Sequence, residues 1–275
     1  MSPSTPALAP LPPRACAVAL ATLPGMGPAR LHRLIAEFGP APAWERVLAG
    51  VEVRPVPPRG TEPTTRPWAS VARSFDVEAA GERCRHLRIE VTWPGHEQWP
   101  AAFADGPQPP GVLFWRGDLG ALCRPTVAVV GTRRATPEGR SIAFELGYDL
   151  ARAGVTVVSG LALGIDGAAH AGALEAGDVQ HRGASVAPAP TVGVAASGVD
   201  IVYPRRHADL WRRVGESGAV ISETPPGGAP ASWRFPARNR IIVAVARMVV
   251  VVESHISGGS LVTVEAALAR GVEVR

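Results

Sequence analysis

The stretch Phe235-Pro236-Ala237-Arg238-Asn239-Arg240-Ile241-Ile242 lies between two strand-like runs and carries the residue types that suit a polyanion. Guanidinium forks match phosphate oxygens, and an aromatic face accepts a stacked base. Arg234 precedes Phe235 and adds one more cation. Alone, this is a charged helix start. Its meaning depends on turns elsewhere in the chain that carry compatible groups.

Four such turns follow strand-like runs. Gly131-Thr132-Arg133-Arg134-Ala135-Thr136-Pro137 offers two Arg, two hydroxyls and a helix start whose unpaired N–H groups favour an anion. Thr136 is also an N-cap candidate with Pro137 at the first helical position. Ser159-Gly160-Leu161-Ala162-Leu163-Gly164-Ile165-Asp166 places a hydroxyl beside two glycines that let backbone approach a ligand. Asp166 either caps a helix or orients an Arg of the preceding turn, and His170 belongs to a packed helix face. Ser197-Gly198-Val199-Asp200-Ile201-Val202-Tyr203-Pro204-Arg205-Arg206 adds two Arg. Ser257-Gly258-Gly259-Ser260 opens another helix with small residues and hydroxyls, a further anion-accepting end. GxGxxG and GxxxxGK are both absent, so the dinucleotide and P-loop fingerprints are missing. No nucleophile or second base accompanies His170.

The elements that must position these turns alternate regularly from Arg124 onward. Strand-like runs fall at Val127–Gly131, Val155–Gly160, Val192–Ala196, Ala219–Glu223 and Met248–Glu253. Helical stretches lie near Glu138–Ala153, Ile165–Ala176, Ala208–Glu216, Asn239–Ala246 and Gly259–Arg270. Near-continuous apolar strands mean that both faces are covered by helices. The expected fold class is a doubly wound parallel α/β sheet, extended Rossmann-like, with ligands beyond the carboxyl ends of its strands. The chain stops at Arg275 just where a sixth strand would begin, so that strand is expected to be missing. Polar residues Asp178 to Pro190 read as a surface loop.

Ahead of this region, residues 1–13 read as a disordered tail. Residues 14–67 read as a small helical domain ending in a Pro-rich linker, 51–67. Residues 68–120 read as a connecting segment with a helix (Trp68 to Leu87) and strands near Ile89–Thr92 and Val112–Trp115. The sheet domain itself spans 121–275. The turn Leu23-Pro24-Gly25-Met26-Gly27-Pro28 between two short helices resembles a helix-hairpin-helix. Its N–H groups either hold a DNA phosphate, or the helix pair merely packs on its neighbour.

Composition narrows the partners. All 28 basic residues are Arg, so any phosphate contact falls to guanidinium or backbone N–H. The formal charge is +4 and the isoelectric point about 9.6. Cys16, Cys84 and Cys123 show neither a disulfide pattern nor zinc spacing, which suits a reducing cytosol. The apolar run Met248 to Val252 is far shorter than a membrane span, and the Pro-rich start lacks the signature of a secretory signal. The expected protein is cytoplasmic, needs no membrane, and uses no cofactor or metal.

GTRRATPEG, SGLALGIDGAAH, SGVDIVYP, ISETPPG, FPARNRII and SGGSLVTVEAA, in that order, resemble the motifs of the DNA-processing protein A (DprA/Smf) family. The resemblance covers about residues 120–270 and, more loosely, the helical region before them. It implies a protein that binds single-stranded DNA, loads RecA recombinase onto it during natural transformation, forms a homodimer and has no established catalytic activity. Carried onto this sequence, the implied DNA contacts are Gly131, Thr132, Arg133, the turn from Ser159 through Gly160 to Gly164, Phe235, Arg238 and Asn239. Arg134, Arg234, Arg240, Ser257 and Ser260 complete the expected surface on residue type and placement. The sequence departs from the family pattern in its longer 178–190 loop, in its basic positions before Phe235, and in lacking the last strand and any C-terminal winged helix. An alternative reading rests on Gly258-Gly259-Ser260…Thr263-Val264-Glu265, which resembles the turn of the lysine-decarboxylase-like nucleotide phosphoribohydrolases. One extra residue separates the glycines from Thr263, and no partner carboxylate is evident.

Overall fold

In the computed structural model, residues 11–51, 68–104, 106–180, 189–256 and 258–275 are described. Most of the expected tail, nearly all of the 51–67 linker and Ser257 fall outside them.

Five apolar runs become the parallel strands β3 (Thr126–Val130), β4 (Thr156–Ser159), β5 (Thr191–Val194), β6 (Ala219–Ser222) and β7 (Met248–Val251). The helices between them are α6 (Pro137–Arg152), α7 (Ile165–Gln180), α8 (Ala208–Ser217), α9 (Arg234–Ala244) and α10 (Gly259–Ala269). Strand order is β6-β5-β4-β3-β7, so the chain winds outward from β3, then crosses back to place β7 on its other side. One apolar cluster joins α6 and α7 to the sheet, and another packs residues of α9 and α10 on it. The expected doubly wound sheet is what forms.

Two features extend it. The sixth parallel strand, expected to be missing, is present as β8 (Glu273–Val274), paired with Met248 and Val249 of β7. At the other edge, β1 (Glu90–Thr92) pairs antiparallel with β2 (Leu113–Gly117), and β2 pairs antiparallel with β6. The connecting segment therefore adds two strands to the main sheet.

The helical region comprises α1 (Pro13–Thr22), α2 (Pro28–Phe38), α3 (Pro40–Leu48), α4 (Trp68–Arg73) and α5 (Val77–His86). The expected single helix over 68–87 is two, because the Asp76 carboxylate accepts from Ala79 N at 2.8 Å and starts a new helix. Pro13 begins α1 and so belongs to a helix rather than to the tail. These helices share a core with Phe114 of β2 and with Trp211 and Val214 of α8. In the Gly-rich turn, Met26 N donates to Leu23 O and Gly27 N to Gly25 O. Trp68 Nε1 donates to Pro24 O at 2.8 Å. With those donors already paired inside the chain, the geometry favours packing over phosphate capture. Helix α7 continues past Ala176, so the expected loop at 178 begins later; Asp178 instead pairs with Arg213 of α8 at 2.6 Å.

No described helix is long and apolar enough to cross a membrane.

Candidate single-stranded nucleic-acid interface

Where helices leave opposite faces of a sheet, adjacent strand ends splay and leave a crevice. Here the reversal falls between β3 and β7, and a cleft of about 860 Å³ opens there. Gly131 to Arg134 form one wall, the first turns of α9 another, and Gly258 to Thr263 a third. Of the residues expected to bind, Gly131, Thr132, Arg133, Arg134, Phe235, Arg238, Asn239 and Ser260 all line it.

Arg133 is exposed and its guanidinium lies over the Phe235 ring, 4.8 Å from the centroid. Tyr203 is tilted against Phe235, with ring centroids 5.5 Å apart and planes 46° apart. Arg134 is exposed, and its side chain has no hydrogen bond or ion pair among the described residues. Asn239 reaches Gly259 O at 3.5 Å, and Ser260 Oγ sits 2.6 Å from Ser254 Oγ. Pro236 causes no break because it lies in the first turn of α9, where an N–H has no helical partner anyway.

Arg238 behaves differently from the expectation. Only 5% exposed, its Nη1 donates to Gly160 O at 2.7 Å and to Val194 O. It thus joins the ends of β4 and β5 to α9. Burial lowers its pKa to about 10, opposed by the carboxylate of Asp166. Asp166 in turn accepts from Gly160 N at 3.1 Å and Ala162 N at 3.4 Å. Burial raises the Asp166 pKa, and the Arg238 charge opposes that rise. A Cβ on Gly160 would lie 2.5 Å from both Arg238 Nη2 and Asp166 Oδ2, so this glycine admits protein side chains, not ligand. Gly164, at φ +79°, likewise lets the Thr132 carbonyl approach: a Cβ there would lie 2.3 Å from it.

Three more expected contacts are directed elsewhere. Ser159 is fully buried and its hydroxyl donates to Val129 O at 2.6 Å, out of a ligand's reach. Arg240 forms a half-buried 2.5 Å pair with Glu223. Arg234 donates to Ala229 O at 2.7 Å and lies beside a second groove, away from the main cleft. His170 is fully buried with Nδ1 2.7 Å from Thr191 Oγ1, and burial, aided by the neighbouring His207, lowers its pKa to about 3.

The α6 N-terminus already holds an anion. Glu253 Oε2 accepts from Thr136 N at 3.0 Å and from Thr136 Oγ1 at 2.9 Å, while Thr136 Oγ1 accepts from Gly139 N at 3.0 Å. Thr136 caps as the sequence suggests. Glu253 was not foreseen, since 117 residues separate the partners. Tyr203 was also missed. Its only signal was an aromatic residue beside proline in a turn that follows a strand.

A family model described as DNA recombination-mediator protein A matches residues 90–275. The chain belongs to that family. Among members of the DNA recombination-mediator protein A family, it is 36% identical over 179 residues to the DNA processing protein DprA of Bacillus subtilis, covering 65% of this chain and 57% of that protein. It is 41% identical over 166 residues to the protein Smf of Escherichia coli, covering 60% and 41%. The chain therefore spans about half the length of such relatives. The X-ray structure of DprA from Streptococcus pneumoniae superposes with a TM-score of 0.70 at 26% identity, covering 94% of this chain and 83% of that one. A Helicobacter pylori DNA processing protein A, whose structure is described as giving insight into a single-stranded DNA binding mode, superposes at 0.59 with 27% identity, covering 68% and 79%.

Proposed function

We propose that this protein binds single-stranded DNA without base specificity in the cleft between β3 and β7. The observation that carries the reading is the Arg133–Phe235–Tyr203 cluster lining the cleft. A cation and aromatic faces at one opening meet phosphate and base together. The named binding mode of the Helicobacter pylori relative supports it. Arg133 and Arg134 take phosphates, Phe235 takes a base, and Thr132, Asn239 and Ser260 offer polar groups to the strand. Arg238 and Asp166 hold the walls in place.

Family membership extends the proposal to handing DNA to RecA recombinase, as a homodimer and in the cytoplasm. We read the cleft as non-catalytic. Glu265, the carboxylate on which the phosphoribohydrolase alternative depends, is exposed and does not line the cleft. Glu253 is engaged with Thr136, and Asp166 with two backbone N–H groups. Incubation with AMP should therefore release no adenine.

Titration of labelled oligothymidine at several salt concentrations tests the reading. Affinity should fall linearly on a log–log plot against salt, and Arg133→Ala should weaken binding and flatten the slope by about 0.7. Salt-independent binding, or equal affinity for both proteins, would overturn it.

A further inference from the structure

Next to the main cleft, and sharing part of its lining, lies a narrow slot. Arg133, Ala162, Tyr203 and Phe235 line both spaces, and Gly160, Leu163, Ala195 to Ser197 and Pro204 close the slot. Tyr203 is 42% exposed, and its hydroxyl makes no hydrogen bond within the described chain. An exposed aromatic ring tilted against a site residue at 5.5 Å is itself a surface for a second base.

Immediately beyond Pro204, Arg205, Arg206 and His207 form a short 3-10 turn leading into α8. His207 Nδ1 lies 3.0 Å from Leu161 O, and its ring fills the space that a side chain on Gly167 would take. The turn is thereby anchored to the β4 loop that borders the cleft. Arg205 and Arg206 are both exposed, and neither meets a carboxylate among the described residues. By contrast, Arg212 and Arg213 on the following helix are paired with Asp209, Glu216 and Asp178. Two unpaired cations just ahead of a helix start are placed against the helix dipole, which favours negative charge there. An external anion resolves that conflict.

Resting on the single-stranded DNA reading above, we propose that the bound strand does not end at Phe235: it continues over Tyr203, which stacks a second base, to phosphates held by Arg205 and Arg206. Base and backbone contacts then alternate along one path, from Arg133 and Phe235 to Tyr203 and the Arg pair.

Fluorescence anisotropy with oligothymidines of roughly four and roughly twelve nucleotides tests this path. The double variant Arg205→Gln/Arg206→Gln should bind the short oligomer like wild type. With the long oligomer, its slope of log K against log salt should be shallower by about 1.4. An equal charge loss at the opposite, N-terminal ends of the strands, Arg152→Gln/Arg247→Gln, should leave both slopes unchanged. Tyr203→Ala should weaken the long oligomer about tenfold, and Tyr203→Phe should restore it, since stacking needs the ring and not the hydroxyl. Melting curves of all variants should superpose, and a collapsed Tyr203→Ala is replaced by Tyr203→Leu as the ring-free variant. An unchanged slope in the Arg pair variant, or full affinity without the Tyr203 ring, would overturn the path while leaving the cleft reading intact. Failure of wild type to bind either oligomer would instead remove the cleft reading itself.

Discussion

Two arginines at one cleft have opposite roles, and burial separates them. Arg133 stays in water over an aromatic ring, where a phosphate can reach it. Arg238 is enclosed, with its Nη1 committed to two carbonyls at strand ends. Replacing Arg238 by Met should cost about 3–5 kcal/mol, because Asp166 would lose its compensating charge and the carbonyls their donor. Urea unfolding would measure the loss, and the salt dependence of DNA binding by the folded fraction should keep its wild-type slope. His170 gives a pH prediction. Its folded pKa of about 3 lies below the ordinary value of 6.5, so the unfolded chain takes up a proton first as pH falls. The neutral buried ring therefore contributes no penalty above pH 6.5 and a growing one down to about 3. Between pH 7 and 5, replacing His170 by Gln should reduce the acid loss of stability by about 2 kcal/mol, read from denaturation midpoints.

Among the elements, the closing of α6 onto β7 shows how local and distant signals differ in legibility. Thr136 followed by Pro137 announces a helix start in the sequence itself, because a hydroxyl cap and a fixed φ are local properties. Glu253 completes the cap from the far side of the switch point. Thr136→Ala should cost about 1 kcal/mol, and a double-mutant cycle with Glu253→Gln should return a coupling of at least about 0.5 kcal/mol in thermal unfolding. The break between α4 and α5 escaped notice for a related reason. Phe75 continues the apolar pattern across it, while the feature that starts the second helix is one carboxylate, Asp76, bonded to Ala79 N. Strands β3 to β7 were legible within one or two residues because helices on both faces demand unbroken apolar runs. Ser159 and Arg238 were misplaced because residue type says nothing of burial.

At the scale of the molecule, the joining of β2 to β6 makes one sheet out of what reads as two regions. Antiparallel pairing over a hundred residues leaves no local trace, and the sequence offers only two short apolar runs. At the seam, Gly117 has φ +94°, and a Cβ on it would lie 2.1 Å from Gly218 O. Gly117→Ala should therefore destabilise by more than about 1 kcal/mol. Wild type should unfold in a single step, with tryptophan fluorescence and helical circular dichroism giving coincident midpoints. Two separated transitions would show that the regions melt apart. Finally, Glu253 makes the α6 terminus unavailable to visitors. The crevice thus loses the α6 helix end as a cradle for an isolated phosphoryl group, so free nucleotides should displace a bound oligomer poorly even in large excess. Retention would then come from many weak attachments spread along a polymer, and the protein would discriminate by chain length where a nucleotide enzyme discriminates by monomer.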